Sequence, residues 1–66
     1  MNIGIVIDSW KLPIFERHLK QGGYSYTQGA GITSDTLNLY VTTEDVDALS
    51  TAVRAAQREA ERSRSH

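Results

Sequence analysis

Apolar and polar positions alternate along Asn2 to Asp8, with Ile3, Ile5 and Ile7 on one face and Gly4, Val6 and Asp8 on the other. This β-branched alternation predicts a first strand. The period then changes. Leu12, Phe15 and Leu19 recur at helical spacing within Ser9 to Gln21, which predicts a helix. Pro13 suits its first turn, where a missing N–H costs little. Gly22 and Gly23 end it, one of them in the left-handed conformation that glycine tolerates. Tyr24 to Gln28 alternates aromatic and small polar residues, the pattern of a half-buried second strand, and Gly29 to Asp35 reads as a turn-rich loop. Thr36 to Thr42 is the third strand, with Leu37, Leu39 and Val41 facing one way and Asn38, Tyr40 and Thr42 the other. A second helix is expected to start near Thr42 or Thr43, where Thr42 and Asp45 have capping-box spacing. Its stripe is Val46, Leu49, Val53, Ala56 and Ala60, and it runs to about Arg62. The reading is one domain over residues 1–62 with a frayed tail over 63–66.

The order strand, helix, strand, strand, helix predicts an α+β fold. A right-handed crossover puts the strands in the order 1-3-2 with antiparallel neighbours. The first and third strands share an apolar face, so both helices are expected on that one face. The layout resembles a truncated ferredoxin-like βαββα domain whose fourth strand is missing. Within that group it is similar to the ACT domains, on four features: the apolar first strand, Asp8 at its end, Pro13 opening a helix, and Gly22-Gly23 before the second strand. Ile14 departs from the pattern, because ACT domains usually place a glycine after that proline. The resemblance implies a dimer that binds amino acids or other small effectors. Separately, the window IDSWKLPIFERHL, Ile7 to Leu19, resembles small uncharacterised proteins of tailed phages, which implies a phage or metagenomic source.

Two consequences follow from the layout. The first strand becomes an open edge, with no proline or lysine to discourage pairing. The second helix, about 19 residues or roughly 28 Å long, should outrun a sheet whose strands cover about 23 Å. Ala56 and Ala60 would then line an overhang.

Composition strengthens the case for association. A chain of 66 residues buries only about 60% of its unfolded surface, so domains of this size usually lean on a disulfide, a metal or a partner. There is no cysteine, and His18 and His66 are too few for a structural metal cage without carboxylate help. Homodimerisation or a higher homo-oligomer is therefore expected, with Ile3, Ile5, Val6, Ile7, Tyr40, Ala56 and Ala60 as candidate interface residues. The net charge of −1 argues against a dedicated polyanion binder. No apolar stretch approaches the roughly 20 residues of a membrane span, and no signal peptide is visible. The expectation is a soluble cytoplasmic protein.

Candidate chemistry is sparse. The parallel first and second strands bring Asp8, Ser9, Trp10 and Lys11 towards Gly29, Gly31, Thr33, Ser34 and Asp35 at one end of the sheet. A tryptophan, a lysine and a helix start there suit a small anionic ligand. The blander reading makes Trp10 a lid on the core and Asp8, Ser9 and Asp35 turn caps. The Gly-Ala-Gly run leads into no helix, so it is not a phosphate loop. His18 lies about 9 Å down the helix from Leu12, too far from Asp8 to pair, and reads as a flanking residue. Glu44, Asp45 and Asp47 suit a helix start better than a metal. Arg54, Arg58 and Arg62 recur along the second helix and could track phosphates, but Glu59 and Glu61 interrupt them. Tyr24, Tyr26 and Tyr40 lack the basic neighbours of an RNA-stacking sheet. No nucleophile, base and orienting group converge, so no enzyme and no cofactor are expected.

Overall fold

The computed structural model describes the backbone of residues 1–64 and the side chains of residues 1–63. Three strands, β1 (Asn2–Asp8), β2 (Ser25–Ala30) and β3 (Thr36–Thr42), form one sheet in the order β1-β3-β2. Both pairings are antiparallel, with Ile5 opposite Leu39 and Gln28 opposite Leu39 on the other side. A 3-10 turn (Ser9–Lys11) leads into α1 (Leu12–Gln21), and α2 (Val46–Arg64) follows β3. Ile7, Leu39 and Val41 from the sheet pack with Phe15 and Leu19 of α1 and with Leu49 and Ala56 of α2. One cluster fed by both helices means that both cover the same sheet face. The truncated ferredoxin-like arrangement expected from the alternation is therefore the observed one.

Local chemistry explains the boundaries. Gly23, at φ 74°, supplies the left-handed residue that lets the chain leave α1. The start of α2 differs from expectation. Thr42 stays in the sheet, where its hydroxyl donates to Asn2 Oδ1 at 2.8 Å. Asp45 caps α2 instead, accepting the Ala48 N–H at 3.0 Å, and the Asp45 N–H itself donates to Thr43 Oγ1 at 3.1 Å. The other end differs too. The helix runs to Arg64 rather than to about Arg62, and Ser65 and His66, the rest of the tail expected to fray, lie outside the described residues.

The second strand also runs further than its pattern suggested. Gly29 and Ala30 belong to β2, opposite Asn38 and Leu37, and the loop begins at Gly31. Gly29 makes room rather than a turn: a Cβ there would lie 3.1 Å from the Tyr40 ring. The loop closes tightly at Gly31, where a Cβ would collide with the backbone and hydroxyl of Thr36.

Ala56 and Ala60 do not line an exposed overhang. Both are 0% exposed, because α1 lies along the second half of α2. Arg17 pairs with Glu59, His18 Nε2 sits 3.1 Å from Glu59 Oε1, and Lys11 Nζ donates to Gln57 Oε1 at 3.3 Å. Alanines let the helices approach closely, since interaxial distance follows the side chains at the contact. These two residues are core, not interface. So is Ile7, which is covered by its own chain.

Candidate functional site

The end of the sheet that carries Trp10 is assembled as its topology requires. The Ser9 N–H donates to the Asp35 carbonyl at 2.8 Å, which joins the end of β1 to the loop after β2. Asp8, Ser9, Trp10 and Lys11 thus lie beside Gly31 and the exposed Thr33, Ser34 and Asp35. Gly29 does not join them, because it sits within β2 beneath Tyr40. Trp10 is 43% exposed, so it is not a sealed lid, and Lys11 Nζ stands 5.5 Å from its ring centroid.

The polar groups at this end largely satisfy one another. The Lys11 ammonium is 3.5 Å from Asp8 Oδ2 and also holds Gln57. The Thr33 N–H donates to Thr36 Oγ1 at 3.1 Å, and the Thr36 hydroxyl donates back to the Thr33 carbonyl at 3.2 Å. An anion here would compete with Asp8 for the single lysine.

Concave space lies elsewhere, along the β1 edge. A groove of about 400 Å³ has Ile3 and Ile5 as its floor, Val46, Leu49 and Val53 of α2 as its wall, and Ser50 and Arg54 at its rim. Ile3 and Ile5 point to the helix-covered side but remain half-exposed, and Val46 is 43% exposed. Beside them, β1 pairs with β3 only, among the described residues, without a bulge from Asn2 to Asp8. The helix-covered core is thus left unfinished along one edge. Sequence reading found the edge and its isoleucines. It did not find the α2 wall, because which turn of a helix overlies which strand is set by tertiary offset.

The opposite face of the sheet is different in kind. Val6 is 56% and Tyr40 45% exposed there, but their neighbours are polar. Asn38 Nδ2 donates to the Ala30 carbonyl and to the Tyr40 hydroxyl, both at 3.2 Å. The Tyr40 ring lies across Gly4 and Gly29, over the backbone of both flanking strands. The one large aromatic of this face is already seated.

The remaining candidates separate in space. Arg54, Arg58 and Arg62 are exposed on α2, on the far side of the sheet from Tyr40. Tyr24 and Tyr26 pack against the core. The Tyr26 hydroxyl donates to Glu16 Oε2 at 2.9 Å. Partial burial first, and the hydrogen bond to Glu16 second, hold the Tyr26 phenol above its ordinary value of 10.0. Among the described residues, Arg54, Arg58 and Arg62 therefore share no surface with Tyr40 that a nucleobase and its phosphate could span. His18 is a flanking residue held by Glu59, remote from Asp8, whose partner is Lys11. Among the described residues no cluster of carboxylates and histidines has the makings of a metal site, and Asp45 is accounted for as a cap.

Fold and edge together define a small α+β domain with a three-stranded antiparallel sheet, two helices on one face and an open apolar margin at β1. No family model, no curated protein and no solved structure matches the chain. No described helix is long and apolar enough to cross a membrane.

Proposed function

We propose that this chain is a small non-enzymatic protein that works as a homo-oligomer, assembled through the β1 edge. The observation that carries the proposal is the coincidence of two deficits at one place. The outer backbone of β1, unpaired among the described residues, and the half-covered Ile3 and Ile5 lie side by side. A strand added there would supply hydrogen bonds and apolar cover at once. The open sheet face offers only Val6 and a seated Tyr40, so it is the weaker of the two association modes. The ferredoxin-like and ACT resemblance fits this reading, since in that fold a further strand lies beside β1. A tailed-phage source fits it equally well.

Two substitutions separate the modes. Val46→Glu puts a charge into the groove while keeping an acid in the first turn of α2, where the helix dipole favours it. It should shift light-scattering mass towards monomer, whereas Thr27→Lys, exposed on the open sheet face of β2 and away from the β1 edge, should leave the mass unchanged. The reverse result would move the interface to the open face.

A second reading is an ACT-like module for an amino acid or other small anion, supported by the exposed Trp10 and Lys11 beside the Ser9–Asp35 junction. Thermal shift against amino acids and nucleotides tests it, because a ligand of the native state raises Tm. Nucleic-acid binding through Arg54, Arg58 and Arg62 is the least supported, and salt-sensitive retention of DNA or RNA would revive it.

A further inference from the structure

We infer that two copies pair β1 with β1 about a two-fold axis through Gly4, so that Ile3 of each meets Ile5 of the other and Asp47 of each α2 faces Arg54 of the other. The inference rests on the self-association reading and adds the geometry of the pair.

The strand register is restricted by parity. Residues directly opposite each other in a sheet point to the same face. A two-fold axis normal to the sheet preserves faces, so paired residue numbers must sum to an even number. One residue therefore sits opposite its own copy, and the choice of axis is discrete. An axis at Ile5 would set Ile3 against Ile7, which its own chain already buries, and would leave the groove of Ile3 without a new occupant. An axis at Ile3 would set Ile5 against Met1, outside the strand. An axis at Gly4 sets Ile3 against Ile5 twice. Each isoleucine then covers the half-exposed floor of the other copy's groove.

The helices impose the same symmetry. The Thr43 N–H donates to the Met1 carbonyl at 3.0 Å, so α2 departs from the end of the sheet where β1 begins. It then runs past Ile3 and Ile5 and reaches Lys11, beyond the far end of β1, through Gln57, so it travels in the direction of β1. The two-fold operation consequently lays the second copy's α2 alongside, running the opposite way. Charge complements that direction. Glu44, Asp45 and Asp47 begin the segment, and Arg54 and Arg58 follow, all exposed. Asp47 and Arg54 are about two helical turns apart and share a flank. The small residues Ser50 and Thr51 lie midway between them, and Ser50 borders the groove. Antiparallel flanks bring Asp47 to Arg54 twice, whereas parallel flanks would set acid on acid. Neither the Asp47 carboxylate nor the Arg54 guanidinium has an ion-pair partner among the described residues, so both are available.

The chain contains no cysteine, so one introduced cysteine reports one position. Gly4 accepts the change, because its added Cβ would meet the Tyr40 ring at an ordinary 3.8 Å. Opposed Cα atoms in an antiparallel pair are about 4.5–5.5 Å apart, inside the range a disulfide spans. Under mild oxidation at micromolar concentration, Gly4→Cys should form a disulfide-linked dimer at least about tenfold faster than Val6→Cys or Ile32→Cys. Faster linking through Val6 would overturn the inference. If sedimentation shows a dimer but Gly4→Cys has no advantage, the register is wrong while self-association stands. A wild-type monomer overturns both.

A charge swap provides the check that does not depend on position 4. Asp47→Arg alone and Arg54→Asp alone should each weaken the dimer by about tenfold at low salt, as two exposed pairs turn repulsive. The double swap should restore the affinity to within about threefold. Failure of the double swap to restore affinity, with the monomer folded by circular dichroism, removes the apposed flanks from the account.

Discussion

The two sides of this small core are built to different standards. On the β2 side, α1 is fastened to everything around it: Tyr26 reaches Glu16, while Arg17 and His18 both reach Glu59 on α2. Ala56 and Ala60 vanish into that helix contact. On the β1 side, the strand has no outer neighbour among the described residues, and Ile3, Ile5 and Val46 stay partly in water. What separates the two sides is whether another element of the same chain lies alongside. Residues on the fastened side should therefore govern whether the chain folds, and residues on the open side what it associates with.

The strongest way to break this contrast is to shorten one side chain on each side. Phe15→Ala should cost about 3–5 kcal/mol, a large share of the roughly 3–10 kcal/mol expected of a domain this size. Urea or thermal melts should find that variant largely unfolded. Val46→Ala should cost the monomer less than about 1 kcal/mol, because the side chain is already 43% exposed. Equal losses would mean that the groove is part of the folding core.

Enlarging the helix contact sharpens the same point. Ala60→Leu should destabilise by about 1–3 kcal/mol through overpacking. Had Ala60 lined an exposed overhang, the change would be neutral, or stabilising in a dimer. This is also where the sequence misled. A stripe of small residues reads the same whether it awaits a partner or receives a neighbouring helix, and only the course of α1 decides.

Other parts were legible for definite reasons. β1 and β3 were readable to the residue, because alternating Ile, Leu and Val on a one-sided sheet fix which residues face the core. Gly29 misled because glycine is a turn signal, whereas here it clears space for the Tyr40 ring. Thr42 misled because a capping hydroxyl and a cross-strand hydroxyl look alike until Asn2 is seen opposite. Of the proposed ligand end, the Ser9–Asp35 junction followed from the parallel course of β1 and β2. The capture of Lys11 by Asp8 and Gln57 did not, since Gln57 comes from the far half of α2.

A smaller effect probes the fastened side through pH. The folded chain holds the Tyr26 proton more tightly than the unfolded chain, so between the two values the folded state binds more protons. Its contribution is complete below the ordinary value of 10.0 and is lost as pH rises beyond it. Urea midpoints followed from pH 8 upward should fall above about pH 10, and Tyr26→Phe should flatten that fall. The substitution should also cost about 1 kcal/mol at neutral pH for the lost bond to Glu16. An unchanged alkaline slope in the variant would assign the fall to other groups.

The contrast between the two sides stands or falls on whether the open one is filled in solution. Sedimentation equilibrium of the unaltered chain at micromolar concentration addresses this directly. The account predicts a mass at or above twice the 7.3 kDa of the single chain, shifting towards the single-chain value on dilution. A well-folded species of 7.3 kDa that persists across the micromolar range would contradict it.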